Sequence, residues 1–382
     1  MGGKMRSTTG KYCYYFTVFI LYSLAFPMDR STVQKIITEN GIPVIHNPKQ
    51  PVPAKGTPNR LIPRQDLIIG KSNGDENYIF SELRFIQVDK EGNIFALDSK
   101  ECKIKEFDKY GKHLRTFGKK GPGPGEWEAP SRMNLTPDGK LAILDNGNNR
   151  IGFYSLKGEC SLEISTARWD FLQMRIDSRS HIYADNLAFN NKGVSQKLLK
   201  FDPSLNLLAT VAENQSDMKL PRINLMTDRF VYDIIQGDHL AWAYTTRYEI
   251  QVLNPEGKTI RKIVKDYEPI NITERDKREI IEERYGKSGP PQGIILEFPT
   301  HFFPIYSIVV DDKGQFYVRT YEKDSDGNYL IDVFNNEGIY TAKFSLPATD
   351  ILSTVKQDNL YCLVEENEAG IPQVKRYHLE RK

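Results

Sequence analysis

The residues in this 382-residue chain best suited to metal binding or nucleophilic chemistry are its six histidines and four cysteines. The histidines are His46, His113, His181, His239, His301 and His378, and no two stand in the H-x-x-x-H or H-E-x-x-H spacing that places ligands on one helix face. There is no C-x-x-C, so neither a zinc knuckle nor a redox pair is present, and no G-x-S-x-G or other nucleophile motif occurs. His181 and His239 fall at equivalent turn positions of neighbouring repeat units, which reads first as surface turn chemistry. Were both to reach a common channel, they would be the weak candidates for holding a divalent metal. A Gly-rich stretch at 118–125 invites a phosphate-binding reading, but a phosphate loop joins a strand to a helix N-terminus. Here Pro122, Pro124 and Pro130 interrupt the stretch and no helix follows, so it reads as a connector. Asp98, Asp145 and Asp185 recur near the ends of strand-like segments. A catalytic acid is needed once, so recurrence points to carboxylates that accept the N–H groups of turns.

The elements carrying these residues repeat. Residues 85–112 (FIQVDKEGNIFALDSKECKIKEFDKYGK) superpose on 132–159 at a shift of 47, with Gly92 on Gly139, Asp98 on Asp145 and Gly111 on Gly158. Each unit alternates apolar and polar residues between glycine turns, the signal for antiparallel strands. Four weaker copies follow: 174–186 with 198–206, 232–244 with 248–258, 308–320 with 330–340, and 354–366 with 374–380. Six units carrying about four strands each have the size and number of propeller blades. The expected fold is therefore all-β, a six-bladed β-propeller over residues 65–382 with an N-terminal extended arm and a short helical insertion between blades four and five. The last unit ends at Lys382 without an outer strand, and the apolar segment Gln65–Gly70 is unassigned upstream. A ring must hide its edges, so this segment is predicted to close the sixth blade as its outermost strand. The stretch 266–304 does not repeat. Thr273 is predicted to cap a helix from Glu274 to about Tyr285, stopped by Gly286, as a lid or decoration.

The N-terminus is basic and then apolar: Lys4, Arg6 and Lys11 precede the uncharged run Tyr12–Phe26. Residues 1–25 read as a signal peptide, or as an N-terminal anchor if uncleaved. Seven prolines between Pro27 and Asp66 make 26–64 a Pro-rich tether. Losing the three cations of residues 1–25 turns the formal charge of +2 into −1, and no Lys/Arg stripe remains, so no nucleic-acid partner is expected. Cys102, Cys160 and Cys362 allow one disulfide at most, and spacing names none.

The connector Gly118-Lys-Lys-Gly121-Pro-Gly123-Pro-Gly125-Glu126-Trp127, together with LDNGNNRI at 144–151, resembles the NHL-repeat family and its exported six-bladed propeller relatives. The first two units carry the resemblance closely and the other four in their strand–Gly–strand core. It implies a fold, not one activity, because such propellers host ligand binders, interaction platforms, lactonases and lyases. In propellers, ligands usually meet the channel mouth, beside the residues leading into each innermost strand. Mapped on the repeat, these are Arg84, Arg132, Trp169, Arg229 and Tyr306, able to hold an anionic or planar ligand by bidentate bonds and stacking. The leading expectation is an exported (periplasmic, cell-surface or extracellular), monomeric, non-catalytic binding module for a protein partner or small-molecule ligand. No cofactor is expected, and membrane contact only through an uncleaved N-terminal segment. The alternative is a metal-dependent enzyme of lactonase or lyase type, with Ca or Zn at the channel mouth.

Overall fold

A computed structural model describes residues 34–52, 61–190, 193–216 and 221–382. The expected leader, residues 1–25, lies outside the described residues. Six antiparallel sheets follow one another along the chain. Blade 1 comprises Leu83–Val88, Ile94–Asp98, Lys103–Phe107 and His113–Phe117. Blade 2 comprises Pro130–Leu135, Lys140–Asp145, Arg150–Ser155 and Cys160–Ser165, and blade 3 comprises Phe171–Ile176, Ile182–Asn190, Gly193–Phe201 and Leu207–Ser216. Blade 4 contains Phe230–Ile235, His239–Tyr244, Glu249–Leu253 and Thr259–Lys265, and blade 5 contains Ser307–Val310, Phe316–Lys323, Tyr329–Phe334 and Tyr340–Leu346. Blade 6 takes Ile351–Lys356, Asn359–Val364 and Gln373–Arg381 from the C-terminus and Leu61–Ile69 from upstream of blade 1. The predicted closing strand is thus present, beginning a few residues earlier than the sequence suggested.

Alternation along each strand sends one row of apolar side chains to each face, so a blade presents two apolar faces to its neighbours. Among the described residues the buried apolar side chains form six clusters, one at each blade interface, including Ile69, Val88, Ile94 and Val374 between blades 6 and 1. Along the axis the innermost strands are linked laterally. Gln87 Nε2 donates to Met133 O at 3.2 Å, Asn134 Nδ2 to Met174 O at 3.0 Å, and Arg175 Nε to Asp233 Oδ1 at 2.8 Å. Asp233 Oδ2 accepts Val310 N at 2.9 Å, and Ser353 Oγ donates to Ile86 O at 3.2 Å.

The Gly-rich stretch is a connector, as its prolines required. Trp127 is buried across Gly118, donates from Nε1 to Tyr154 Oη at 2.8 Å, and meets that ring edge-on at 5.3 Å. A Cβ at Gly118, whose φ is 101°, would lie 2.2 Å from the Trp127 ring, so only glycine fits. Arg150, from the Asn-Arg turn, binds the carbonyls of Gly123 and Glu126 at 2.7 and 2.6 Å.

The tether reading of 26–64 needs correction within the described residues. Lys35–Glu39 and Ile42–Asn47 form a hairpin, and Ile42–Asn47 then pairs in parallel with Thr259–Lys265, giving blade 4 six strands. Two prolines fall in strands without breaking them. Pro43 precedes the parallel ladder, which starts at Val44, and Pro63 lies in a strand at the outer edge of its sheet, where a missing N–H is tolerated. The Asn40–Gly41 pair, both at positive φ, makes the hairpin turn. Asn47 docks the arm: it is buried, donates to Gly338 O at 3.0 Å, and accepts Tyr340 N at 2.8 Å, joining blades 4 and 5.

Burial also sets the alkaline limit. It is the largest cause raising the phenol pKa of Tyr154, Tyr183, Tyr232, Tyr244, Tyr248, Tyr317, Tyr340 and Tyr377 well above the ordinary value of 10.0. A group whose folded pKa is raised stabilises the fold fully below its unfolded pKa, and that stability is lost as pH rises through the folded value. Stability is expected to fall steeply above pH 10, with the phenolate absorbance of these tyrosines near ~295 nm appearing together with unfolding rather than before it. Free titration of all tyrosines near pH 10 in the folded protein would contradict this.

Candidate functional site

The start of each innermost strand faces the end of the second strand of its blade, as in the pairs Leu83↔Asp98, Phe230↔Tyr244 and Ser307↔Arg319. These ends make one face of the disc, the channel mouth. A cavity of about 1290 Å³ opens there, lined by residues of blades 1, 4, 5 and 6 and by the insertion. It is eccentric because the insertion covers only that side.

The roof forms for local reasons. Thr273 caps the helix Glu274–Tyr285 in a capping box with Asp276, and Gly286 ends it at φ 63°, as the sequence predicted. Asp276, Glu279, Ile280 and Glu283 line the cavity, a spacing that puts them on one helix face. Return pairing holds the roof: Ile272 N donates to Thr300 O at 3.0 Å and Phe302 N to Ile270 O at 2.9 Å. A short parallel pair of Arg222–Asn224 with Ile295–Glu297 ties it to the segment leading into blade 4. Arg222 and Glu297 are ion-paired across it.

Of the five residues expected at the mouth, the structure brings Arg84, Arg229 and Tyr306 together in the cavity. Arg84 is on the rim, neutralised by Glu82 at 2.5 Å and Glu365 at 3.2 Å. Arg229 Nη2 donates to Tyr306 O at 2.9 Å, and its guanidinium lies 5.0 Å from the Tyr306 ring. Arg132 and Trp169 lie elsewhere, because the cavity does not extend over blades 2 and 3. Arg132 turns onto the ring of Phe85 at 5.0 Å and donates to Ser131 O. Trp169 stacks on Phe171 at 6.1 Å and meets Phe201 edge-on at 5.0 Å.

The weak metal candidates sit at the other end of their strands. His181 Nδ1 bonds Asp177 Oδ2 at 2.9 Å within the turn between first and second strands, and His239 faces Ile235 across the equivalent turn. Among the described residues no three His, Cys, Asp or Glu side chains are grouped as metal ligands. Cys102, Cys160 and Cys362 are all free thiols, two of them buried. Burial pushes the Cys362 thiol well above its ordinary value, which fits an inert thiol.

The recurrent aspartates mostly do the expected work, though across the blade. Asp98 accepts Ser81 N at 2.7 Å and Glu101 N at 3.2 Å, and Asp145 accepts Ala129 N at 2.8 Å. Asp185 departs from this. The residue in the register of Asp98 is Asn186, opposite Phe171, and its Oδ1 accepts Asp170 N at 2.8 Å. Asp185, one residue earlier, is buried, accepting Gln173 N at 2.8 Å and Tyr232 Oη at 3.1 Å.

Sequence reasoning missed the inner wall. Arg319, Tyr321, Lys323 and Tyr329 of blade 5 line the cavity with Phe302 of the insertion. Phe302 stacks on Tyr321 at 4.8 Å, and Tyr321 meets Tyr306 edge-on at 5.5 Å. Burial, partly opposed by Arg229, pushes the Tyr321 phenol up to about 12, so it stays a neutral donor at neutral pH. A bulge makes the wall: Arg319 faces Ile331 while Lys323 faces Tyr329, so three residues oppose one. Bulges of this kind re-aim side chains toward sites. A signal was available, since Arg319 occupies the position held by Leu97 and Leu144 in blades 1 and 2.

Six sheets, six inter-blade cores and a laterally linked axis define a closed six-bladed β-propeller with a roofed cavity at the channel mouth. A family model described as 6-bladed beta-propeller (DUF5128) matches residues 74–351, and the chain belongs to that family. Similar solved structures include a protein from Bacteroides fragilis provisionally named as exported, at 10% identity over 88% of this chain and 99% of that one, with a TM-score of 0.54. A member of the DUF4221 family from Bacteroides vulgatus has 12% identity over 85% and 99%, with a TM-score of 0.53. Virginiamycin B lyase from Staphylococcus aureus has 10% identity over 84% and 100%, with a TM-score of 0.45. At these identities the likeness shows fold and nothing of activity. Comparison with curated proteins finds no match. Among the described residues no helix is long and apolar enough to cross a membrane.

Proposed function

We propose that this protein is an exported propeller of NHL-like repeats that binds a small ligand in the roofed cavity and releases it unchanged. The observation that carries the reading is the cavity itself, about 1290 Å³ built on a closed ring and edged by a helical insertion that, among the described residues, no other blade has. Concave, preformed spaces with aromatic walls and a few polar groups are where small ligands bind. The basic and apolar leader, residues 1–25, supports export, and the provisional naming of the Bacteroides fragilis relative agrees. The repeat pattern of the first two blades supports the NHL label.

The test is a thermal-shift panel of sugars, aromatic acids, amino acids and nucleosides. A compound at one hundred times its Kd stabilises by about 2.7 kcal/mol. At least one compound is expected to raise Tm in the native protein but not in a Thr227→Trp/Ala348→Trp variant, which narrows the cavity from two of its exposed lining positions. Mass spectrometry should recover that compound intact. A panel without a hit, or conversion of the bound compound, would overturn the reading. Stoichiometric Ca or Zn in the purified protein would instead favour the lactonase or lyase type of enzyme.

A further inference from the structure

We propose that the cavity is built for the carboxylate of a ring-bearing organic acid, aromatic or sugar, and that Arg319 is the residue that takes it. This rests on the binding reading above. Arg319 is only 7% exposed, yet its Nε is buried with no hydrogen-bond partner. Its guanidinium makes no ion pair or hydrogen bond with any described residue. Its neighbours are ring faces, Tyr306 at 4.2 Å and Tyr329 at 4.3 Å. Buried cations are ordinarily paired, so this one stands out.

Stacking engages the face of a guanidinium and leaves its in-plane N–H groups free, the fork that matches a carboxylate. Arg229, against the same Tyr306 ring at 5.0 Å, adds a second cation that no described carboxylate neutralises. Of the other cavity cations, Arg84 is held by Glu82 and Glu365 and Lys49 by Glu268, while Lys323 lies over the Tyr329 ring at 4.8 Å. Phe302, Tyr306, Tyr321 and Tyr329 supply faces for a flat or sugar ring. The roof opposite is acidic, with Asp276 and Glu283 and with Glu279, which pairs with Arg275 at 2.7 Å. A monoanion suits this arrangement, with any hydroxyls donating to the roof, whereas a doubly charged phosphate is repelled by it.

The experiment is calorimetric titration of the full chain with benzoate and with glucuronate, alongside inorganic phosphate and methyl glucoside. The protein is used as wild type, Arg319→Gln and Arg319→Lys. At least one carboxylate should bind, more tightly than phosphate or methyl glucoside. Its binding should weaken by about tenfold or more in Arg319→Gln, the loss expected for a charged hydrogen-bonding partner, and recover in part in Arg319→Lys. Without ligand, Arg319→Gln should melt at or above the wild-type Tm, because it removes an uncompensated buried charge. A lower unliganded Tm would make Arg319 a structural residue and overturn the assignment. Failure of both carboxylates, equal binding of phosphate, or undiminished binding by Arg319→Gln would also overturn it. A panel compound indifferent to Arg319→Gln would sink this assignment while the binding reading stands; no ligand at all would sink both.

Discussion

Deleting residues 1–72 is expected to leave the protein unfolded at room temperature, whereas deleting residues 1–49 lowers Tm but spares the fold. The two truncations differ by the strand Leu61–Ile69, which closes blade 6 against Gln373–Arg381 from Val374↔Ile69 to Arg381↔Leu61. Leu61 and Ile69 are 5% and 1% exposed, in the cores between blades 5 and 6 and between blades 6 and 1. Losing such a residue costs about 2–5 kcal/mol. Asp66 also fixes Arg376, accepting from Nη2 at 2.8 Å, while Arg376 Nη1 donates to Lys109 O of blade 1 at 2.6 Å. The summed loss, on the order of 5–10 kcal/mol, approaches the whole stability of a typical domain. It also bares a nine-residue edge strand, which invites association. The shorter truncation removes the hairpin and Asn47, but blade 4 keeps its four strands. Circular dichroism melts and size-exclusion profiles of the two truncations make the comparison. A peptide of residues 61–70 should restore the melt of the longer deletion. Equal Tm values for the two would show that this strand does not close the ring.

Asp332→Ala is expected to cost about 3–5 kcal/mol, more than most single substitutions, because it takes from a buried cation its close partner. Lys265 ends the fourth strand of blade 4 with its side chain 1% exposed, and its Nζ lies 2.9 Å from Asp332 Oδ2, itself 2% exposed. Tyr248 Oη donates to the same oxygen at 2.5 Å and Tyr340 Oη to the other. The two tyrosine rings lie 4.9 and 5.0 Å from the Lys265 ammonium. Burial, with the Asp332 charge next, raises both phenols, so they remain neutral donors across the physiological range. Removing the carboxylate leaves two buried hydroxyls without an acceptor between blades 4 and 5, and leaves the ammonium only Glu322, at 3.9 Å. For a chain of this size that corresponds to a Tm about 5–10 °C lower. A Lys265→Met/Asp332→Leu double variant removes both charges and should regain most of the loss. Urea unfolding of the three proteins decides it. A single variant within about 1 kcal/mol of wild type, or a double variant no better than the single, would show the pair to be energetically idle.

Much of the fold was legible because it is written locally. Period-two alternation and glycine turns marked blades 1 and 2 residue by residue, and Thr273 with Gly286 bounded the one helix. The closing strand followed from an edge argument, since an apolar segment upstream matched a strand missing downstream. The hairpin at 35–47 does not show in the proline density of 26–64, because Pro43 sits in a strand without breaking it. Asn40–Gly41 between KIITE and IPVIHN was the available signal.

The site was legible only in part. Arg84, Arg229 and Tyr306 could be placed at the channel mouth because they stand at or just before the start of innermost strands, a position that repeats. Arg319 was missed because it lies within a second strand, where repeat logic expects a buried apolar residue such as Leu97. The sequence alone determined the blade number, the phase of the strands and the lid helix, since each depends on residues a few positions apart. Tertiary structure alone decided that the cavity draws its lining from blades 4, 5, 6 and 1, that the blade 5 bulge turns Tyr321 beneath Phe302, and that Lys265 meets Asp332. Those outcomes depend on how neighbouring blades rotate against one another and on which distant side chains that rotation buries together, and no local period carries that information.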